Sequence, residues 1–71
     1  PAVTLTEEGD VRASHGNFFA PRHLAAGEMP AEGDLCRVYD STGRFCQIGQ
    51  TRTLDKGGLA VFCKINFGCK E

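Results

Sequence analysis

Four cysteines, two histidines and a scatter of arginines are the side chains of this chain that carry chemistry. Cys36, Cys46, Cys63 and Cys69 lie in the second half, and no two of them form a Cys-x-x-Cys pair. A thiolate metal site needs its sulfurs to converge at about 2.3 Å from one ion, which positions spread along a sheet rarely do. The preferred account is therefore a set of reduced, mostly buried thiols acting as small hydrophobes, with a structural Cys-based metal module as the alternative. Nucleophilic catalysis needs Cys or Ser beside a base, and His15 and His23 both lie outside the segment that holds the cysteines. Glu7 and Glu8 sit where a helix begins and act there as partners of its dipole, not as an acid/base couple. No catalytic centre and no cofactor or metal are expected in this chain. Arg12, Arg22, His23, Arg37 and Arg44 remain as separate points at which phosphate contacts are available, although single surface arginines are usually just solvated charge.

The elements that must position these groups fall into two unequal halves. Val3 to Leu5 are β-formers, and Thr6 offers an N-cap hydroxyl ahead of a short helix from about Glu7 to His15. Glu8 and Arg12 stand at i,i+4 in the favourable order, Gly9 costs about 1 kcal/mol against Ala, and Gly16 supplies a left-handed stop. Asn17 to Ala20 read as a short strand ended by Pro21, and Ala25 to Gly33 as a loop.

The second half carries the stronger signal. Asp34 to Asp40 and Arg44 to Gln50 flank Ser41-Thr42-Gly43, a three-residue hairpin loop with Gly at its left-handed position. Pairing Asp40 with Arg44 places Tyr39 opposite Phe45 and Val38 opposite Cys46, so that Cys36, Val38, Cys46 and Ile48 share one apolar face. A third strand, Leu59 to Phe67, alternates Leu59, Val61, Cys63, Ile65 and Phe67 against Ala60, Phe62, Lys64 and Asn66. The turn Asp55 to Gly58 joins it to the hairpin as an antiparallel meander. By this parity all four cysteines point to one side of the sheet.

Size and composition bound what such elements can do. At 71 residues the chain is one domain, near the limit at which a core holds unaided, since a domain of about 60 residues buries only about 60% of its unfolded surface. Hydrophobic residues at 41% and charged residues at 24% describe a globular chain, mainly β by its strand patterns, and not a disordered one. No stretch reaches the roughly 20 apolar residues of a membrane span, and none has the form of a secretory signal, so a cytoplasmic setting without a membrane partner is expected. The chain opens on Pro1, which suggests a piece of a longer protein. The net charge of −1 hides an asymmetry, because residues 1–34 hold six acids and two bases while residues 35–71 hold three acids and six bases. A basic second half is compatible with a nucleic-acid partner without being a strong electrostatic footprint.

Three segments, in order along nearly the whole chain, resemble the C-terminal, PUA-type domain of the bacterial tRNA pseudouridine synthases that modify the T-loop uridine. They are Pro1-Ala2-Val3-Thr4-Leu5-Thr6 leading into a helix, His15-Gly16-Asn17 at its end, and Arg37-Val38-Tyr39-Asp40-Ser41-Thr42-Gly43-Arg44-Phe45-Cys46-Gln47-Ile48-Gly49. The last is similar to the family's Arg-Val-x-x-x-x-Gly-x-Phe-x-x-x-Gly hairpin. After Gly58 the chain departs from a Pro-Arg-Arg-Leu-like ending and has Ala60-Val61-Phe62-Cys63-Lys64-Ile65, leaving Lys64 as the one base there.

The resemblance implies a small mixed pseudo-barrel of about five short strands with one or two short helices, an α+β fold. It implies an RNA-binding accessory domain, at the C-terminal end of a longer enzyme, that helps position the T-arm and acceptor region of tRNA for a catalytic domain of the same chain. The catalytic aspartate of the family belongs to that other domain, so no Asp here inherits the role. His15, Gly16 and Asn17 are then the first candidates for RNA contact, because Gly at a helix end lets a phosphate or 2′-hydroxyl approach the backbone. Arg12, Arg22, His23, Arg37 and Arg44 are the supporting contacts. The alternative is a protein-interaction module that docks the hairpin face of Leu35, Tyr39, Phe45 and Phe62 on a partner domain.

Overall fold

The computed structural model describes residues 1–68. Its elements in chain order are β1 (Ala2–Leu5), α1 (Glu7–Ser14), a single 3₁₀ turn (Pro21–His23), β2 (Leu24–Ala26), β3 (Leu35–Tyr39), β4 (Phe45–Thr53) and β5 (Leu59–Asn66). The five strands form one mixed sheet in the order β2-β1-β3-β4-β5. β1 runs parallel to β3 and antiparallel to β2, and β3, β4 and β5 follow one another as an antiparallel meander.

The sheet curls back on itself through Phe19. Its N–H donates to the carbonyl of Val61 at 3.1 Å and its carbonyl accepts from Val61 N–H at 2.9 Å, so the segment before β2 touches the far strand β5. A five-stranded mixed sheet closed by one bridge is a small α+β pseudo-barrel. Asn17 to Ala20 thus supply a single bridging residue where the sequence predicts a short strand. β2 occupies the start of the segment read as loop, because Leu24 and Ala26 pair with Leu5 and Thr4.

The core follows from this closure. Val3, Leu5, Ala13, Phe19, Cys36, Val38, Cys46 and Val61 form one buried cluster, with Leu24 and Met29 packed against it. Phe19 is the largest of the buried side chains, so the residue that closes the sheet also fills its centre. For a domain whose total stability is on the order of 4–10 kcal/mol, truncating one such ring removes a large share of it.

The helix begins as its sequence predicts, with Thr6 Oγ1 accepting from Gly9 N–H at 3.1 Å. Its inward face consists of Gly9, Asp10 and Ala13, whereas Val11 points out. Small residues let it lie close: a Cβ on Gly9 would meet the His23 carbonyl at 2.9 Å. Close approach at this point outweighs the cost of Gly within a helix. Asp10 then anchors the helix to the hairpin, accepting from Ser41 N–H at 2.9 Å and from the Ser41 hydroxyl.

The hairpin forms at the predicted place, with Asp40 N–H donating to Arg44 carbonyl at 2.8 Å and Gly43 at φ +89°. Its face parity does not follow the prediction. Tyr39 pairs with Phe45, but Val38 pairs with Gln47, so Cys46 is an extra residue in a bulge. One extra residue turns every later side chain of the strand over. Gln47, Gly49 and Thr51 face the core, and Ile48 lies on the outer side opposite Arg37.

A second bulge affects β5. Ile48 pairs with Ile65 and Gly49 with Cys63, leaving Lys64 as the extra residue. The predicted alternation therefore ends at Cys63, beyond which Ile65 and Phe67 are turned outward, and Cys63 itself already lies on the surface. Of the four cysteines read as core, Cys36 and Cys46 are buried, Cys63 is on the surface, and Cys69 lies outside the described residues. Burial pushes the Cys36 thiol up, as a small hydrophobe in the core requires. Among the described residues no three His, Cys, Asp or Glu side chains are placed to share a metal ion, and no helix is long and apolar enough to cross a membrane.

Candidate nucleic-acid interface

The helix end at His15, Gly16 and Asn17 is a carbonyl-capping motif. Gly16 at φ +76° donates its N–H to Ala13 carbonyl at 3.1 Å, and Asn17 donates to Arg12 carbonyl at 2.9 Å. These two bonds are those of a Schellman stop, and they occupy the amides a phosphate would need. The helix terminus here also carries the negative end of the dipole. What remains for a ligand are the exposed side chains of His15 and Asn17.

The other predicted residues are dispersed. Arg22 is exposed on the 3₁₀ turn, Arg37 on the outer face of β3, and Arg44 at the base of the hairpin. His23 does not reach the surface: it is 1% exposed, and its Nδ1 accepts from Ala20 N–H at 3.0 Å. Its Nε2 faces Glu8 across 3.6 Å, too long for a hydrogen bond, and has no hydrogen-bond partner. His23 holds the turn that presents Phe19 and is no phosphate ligand. Glu8 is thereby turned toward His23 and away from the predicted pairing with Arg12.

Arg12 instead belongs to a ladder of four side chains. Its Nε donates to Phe18 carbonyl at 2.7 Å, and its guanidinium lies 5.1 Å from the centre of the Phe18 ring. Phe18 packs on Phe62 with ring centres 5.1 Å apart and planes inclined at 35°. Arg52 then lies 5.5 Å from the centre of the Phe62 ring. The result is a stripe Arg12, Phe18, Phe62, Arg52 that joins the helix end to the far end of the β4-β5 pair. Each cation over a ring is worth roughly 0.5–1 kcal/mol at a partly exposed site, which holds the two guanidinium groups in place.

Two fixed guanidinium planes with aromatic rings between them suit a polyanion that also carries flat bases. Arginines supply phosphate contacts, and guanidinium and ring faces supply stacking. Phe18, Phe62 and Arg52 were not among the residues singled out for RNA contact. A longer β4 would have revealed them, since β4 runs on to Thr53 and sets Arg52 against Ala60, diagonal to Phe62.

A second surface lies toward the hairpin end of the same sheet. Phe45, Ile65 and Phe67 are exposed there, at 37%, 53% and 57%, while Leu35, exposed at 51%, lies at the opposite end of β3, level with Gln50 and Phe62. Phe45 packs edge-on to Tyr39 at 5.7 Å and against Phe67 at 5.3 Å, so of the predicted apolar face only Tyr39 and Phe45 meet, while Leu35 and Phe62 lie at the other end of the strands. Leu35, Arg37 and Ile48 line a shallow groove of about 300 Å³ beside it.

Comparison with known proteins returns no matching family model, no matching curated protein and no matching solved structure.

Proposed function

We propose that this domain binds RNA and positions it, without chemistry of its own, as a cytoplasmic accessory domain of a tRNA pseudouridine synthase. The observation that carries the RNA reading is the stripe of Arg12, Phe18, Phe62 and Arg52. The finer identity of the RNA, the T-arm and acceptor region of tRNA, rests on the resemblance of the Arg37 to Gly49 hairpin and the capped helix. A catalytic domain of the same chain is the second partner in this reading. The helix end contributes His15 and Asn17 as neighbours of Arg12, while His23 contributes only to the fold.

An NMR titration with a T-arm stem-loop tests the proposal. Amide and side-chain shifts concentrated on residues 12–18, 52 and 62 are expected. For two phosphate contacts, affinity falls roughly tenfold between 50 mM and 200 mM salt. Shifts confined to the hairpin end, or binding indifferent to salt, would overturn it.

The exposed apolar side chains of Phe45, Ile65 and Phe67 favour a second reading, docking on a protein partner. The two surfaces occupy different ends of the sheet and do not compete. Salt-insensitive association lost on Ile65→Asp would mark the second one.

A further inference from the structure

Beside Arg52 the turn between β4 and β5 encloses a groove of about 280 Å³, lined by Arg52, Thr53, Leu54, Asp55 and Phe62. We propose that this groove is a pocket for one unpaired nucleobase and that Asp55 selects a base presenting an amino edge. The inference rests on the RNA reading above and specifies what the far end of the stripe holds.

Shape is the first argument. The volume lies near the lower bound of small-ligand sites, roughly 300 Å³, which suits a single flat ring system and not a stacked pair. Arg52 has one face toward the Phe62 ring and is itself exposed, so the other face of its guanidinium is available for stacking. Leu54 adds an apolar wall.

Chemistry is the second. Asp55 brings a carboxylate, an acceptor only, and among the described residues it has neither a hydrogen bond nor an ion pair. A bare carboxylate repels phosphate, so the Asp55 side of the groove is a poor design for a backbone contact, which falls to the edge of the Arg52 guanidinium away from it. It is a good design for accepting from an exocyclic amino group, as Asp and Glu accept from cytosine N4. The same capacity would recognise the amino edge of guanine and would leave the O4 of uracil facing an acceptor.

Geometry of the pocket walls is the third. Thr53 closes β4, and the turn is fixed by Leu54 N–H donating to Gly58 carbonyl at 3.0 Å and Gly57 N–H to Leu54 carbonyl at 2.9 Å. Gly57 and Gly58 both have positive φ, at +87° and +81°, which lets four residues turn back tightly and keeps Asp55 beside the end of β4. A duplex cannot use this arrangement, because its base faces are covered by neighbours and the A-form major groove is too narrow for side chains. The ligand is therefore a loop, bulge or single-stranded nucleotide.

Two short single-stranded RNAs decide it, hexacytidylate and hexauridylate, titrated into the labelled domain and into Asp55→Asn. They share a backbone and ring size and differ in the amino group at C4 against a carbonyl. The wild type is expected to bind the cytidine oligomer about tenfold more tightly, with the largest shifts at Arg52, Asp55 and Phe62. Asp55→Asn, whose amide can both donate and accept, is expected to bring the two affinities within about threefold. The substitution lies in an exposed turn that accommodates either residue, so folding is retained. Equal affinities in the wild type, or discrimination unchanged in Asp55→Asn, would overturn the inference while leaving the RNA reading in place. If neither oligomer moves the pocket but a stem-loop still binds at Arg12 and Phe18, the pocket fails alone. Absence of binding to oligomers and stem-loop alike would sink both readings.

Discussion

The Asp40 carboxylate accepts from Thr42 N–H at 2.9 Å, Thr42 hydroxyl at 2.6 Å and Arg44 N–H at 3.0 Å, so one side chain organises the whole hairpin loop. Those donors, the Thr42 hydroxyl first, hold its pKa below the usual carboxylate range against the opposing effect of burial. A group whose pKa is depressed on folding adds stability that is fully present above its unfolded value, about 3.9, and is lost as the pH falls through the folded one. Urea unfolding of the wild type should therefore show a loss between pH 5 and pH 2 that Asp40→Asn largely lacks, with Asp40→Asn the less stable of the two at pH 7 by roughly 1–3 kcal/mol. Equal pH dependence in the two proteins would contradict this assignment. The same scale explains why His23 was misplaced by sequence: its imidazole reads as a surface cation beside Arg22, and only the 3₁₀ turn reveals that it caps Ala20 from inside.

At the scale of the element, what was legible in the sequence is what short-range chemistry determines. Thr6 and Gly16 bracket the helix, and Ser41-Thr42-Gly43 and Asp55 to Gly58 turn the strands, because each signal acts within a few residues. The two bulges were not legible. Nothing in the types of Cys46 or Lys64 announces an extra residue, and each bulge reverses the parity that a simple alternation assigns. That reversal turned Ile48, Ile65 and Phe67 out of the predicted core and brought Gly49 inward. Gly49 is needed there, since a Cβ would overlap Cγ1 of the buried Val61. Gly49→Ala should cost roughly 1–3 kcal/mol through overpacking, read as a lower urea midpoint with the slope unchanged. A neutral result would mean that the second bulge is not the register the protein uses.

The whole molecule divides its surface by kind. The stripe joins a residue of the acidic first half, Arg12, to Arg52 of the basic second half, a connection that exists only because Phe19 bridges to Val61 and carries Phe18 onto Phe62. No window of sequence contains this site. Arg12 was singled out and Arg52 was not, because the contact depends on closure of the sheet over more than thirty residues. The apolar end and the stripe end are separate patches at two ends of the sheet, and in the proposed reading they serve two different partners.

The most direct test compares wild type with the double variant Arg12→Ala/Arg52→Ala, measuring affinity for a T-arm stem-loop across a salt series, with melting temperatures checked so that folding is held equal. Removing both arginines is expected to weaken binding at low salt and to lower the slope of log affinity against log salt by about 1.4–1.8, corresponding to two lost phosphate contacts. An unchanged affinity and slope in the folded double variant would contradict it.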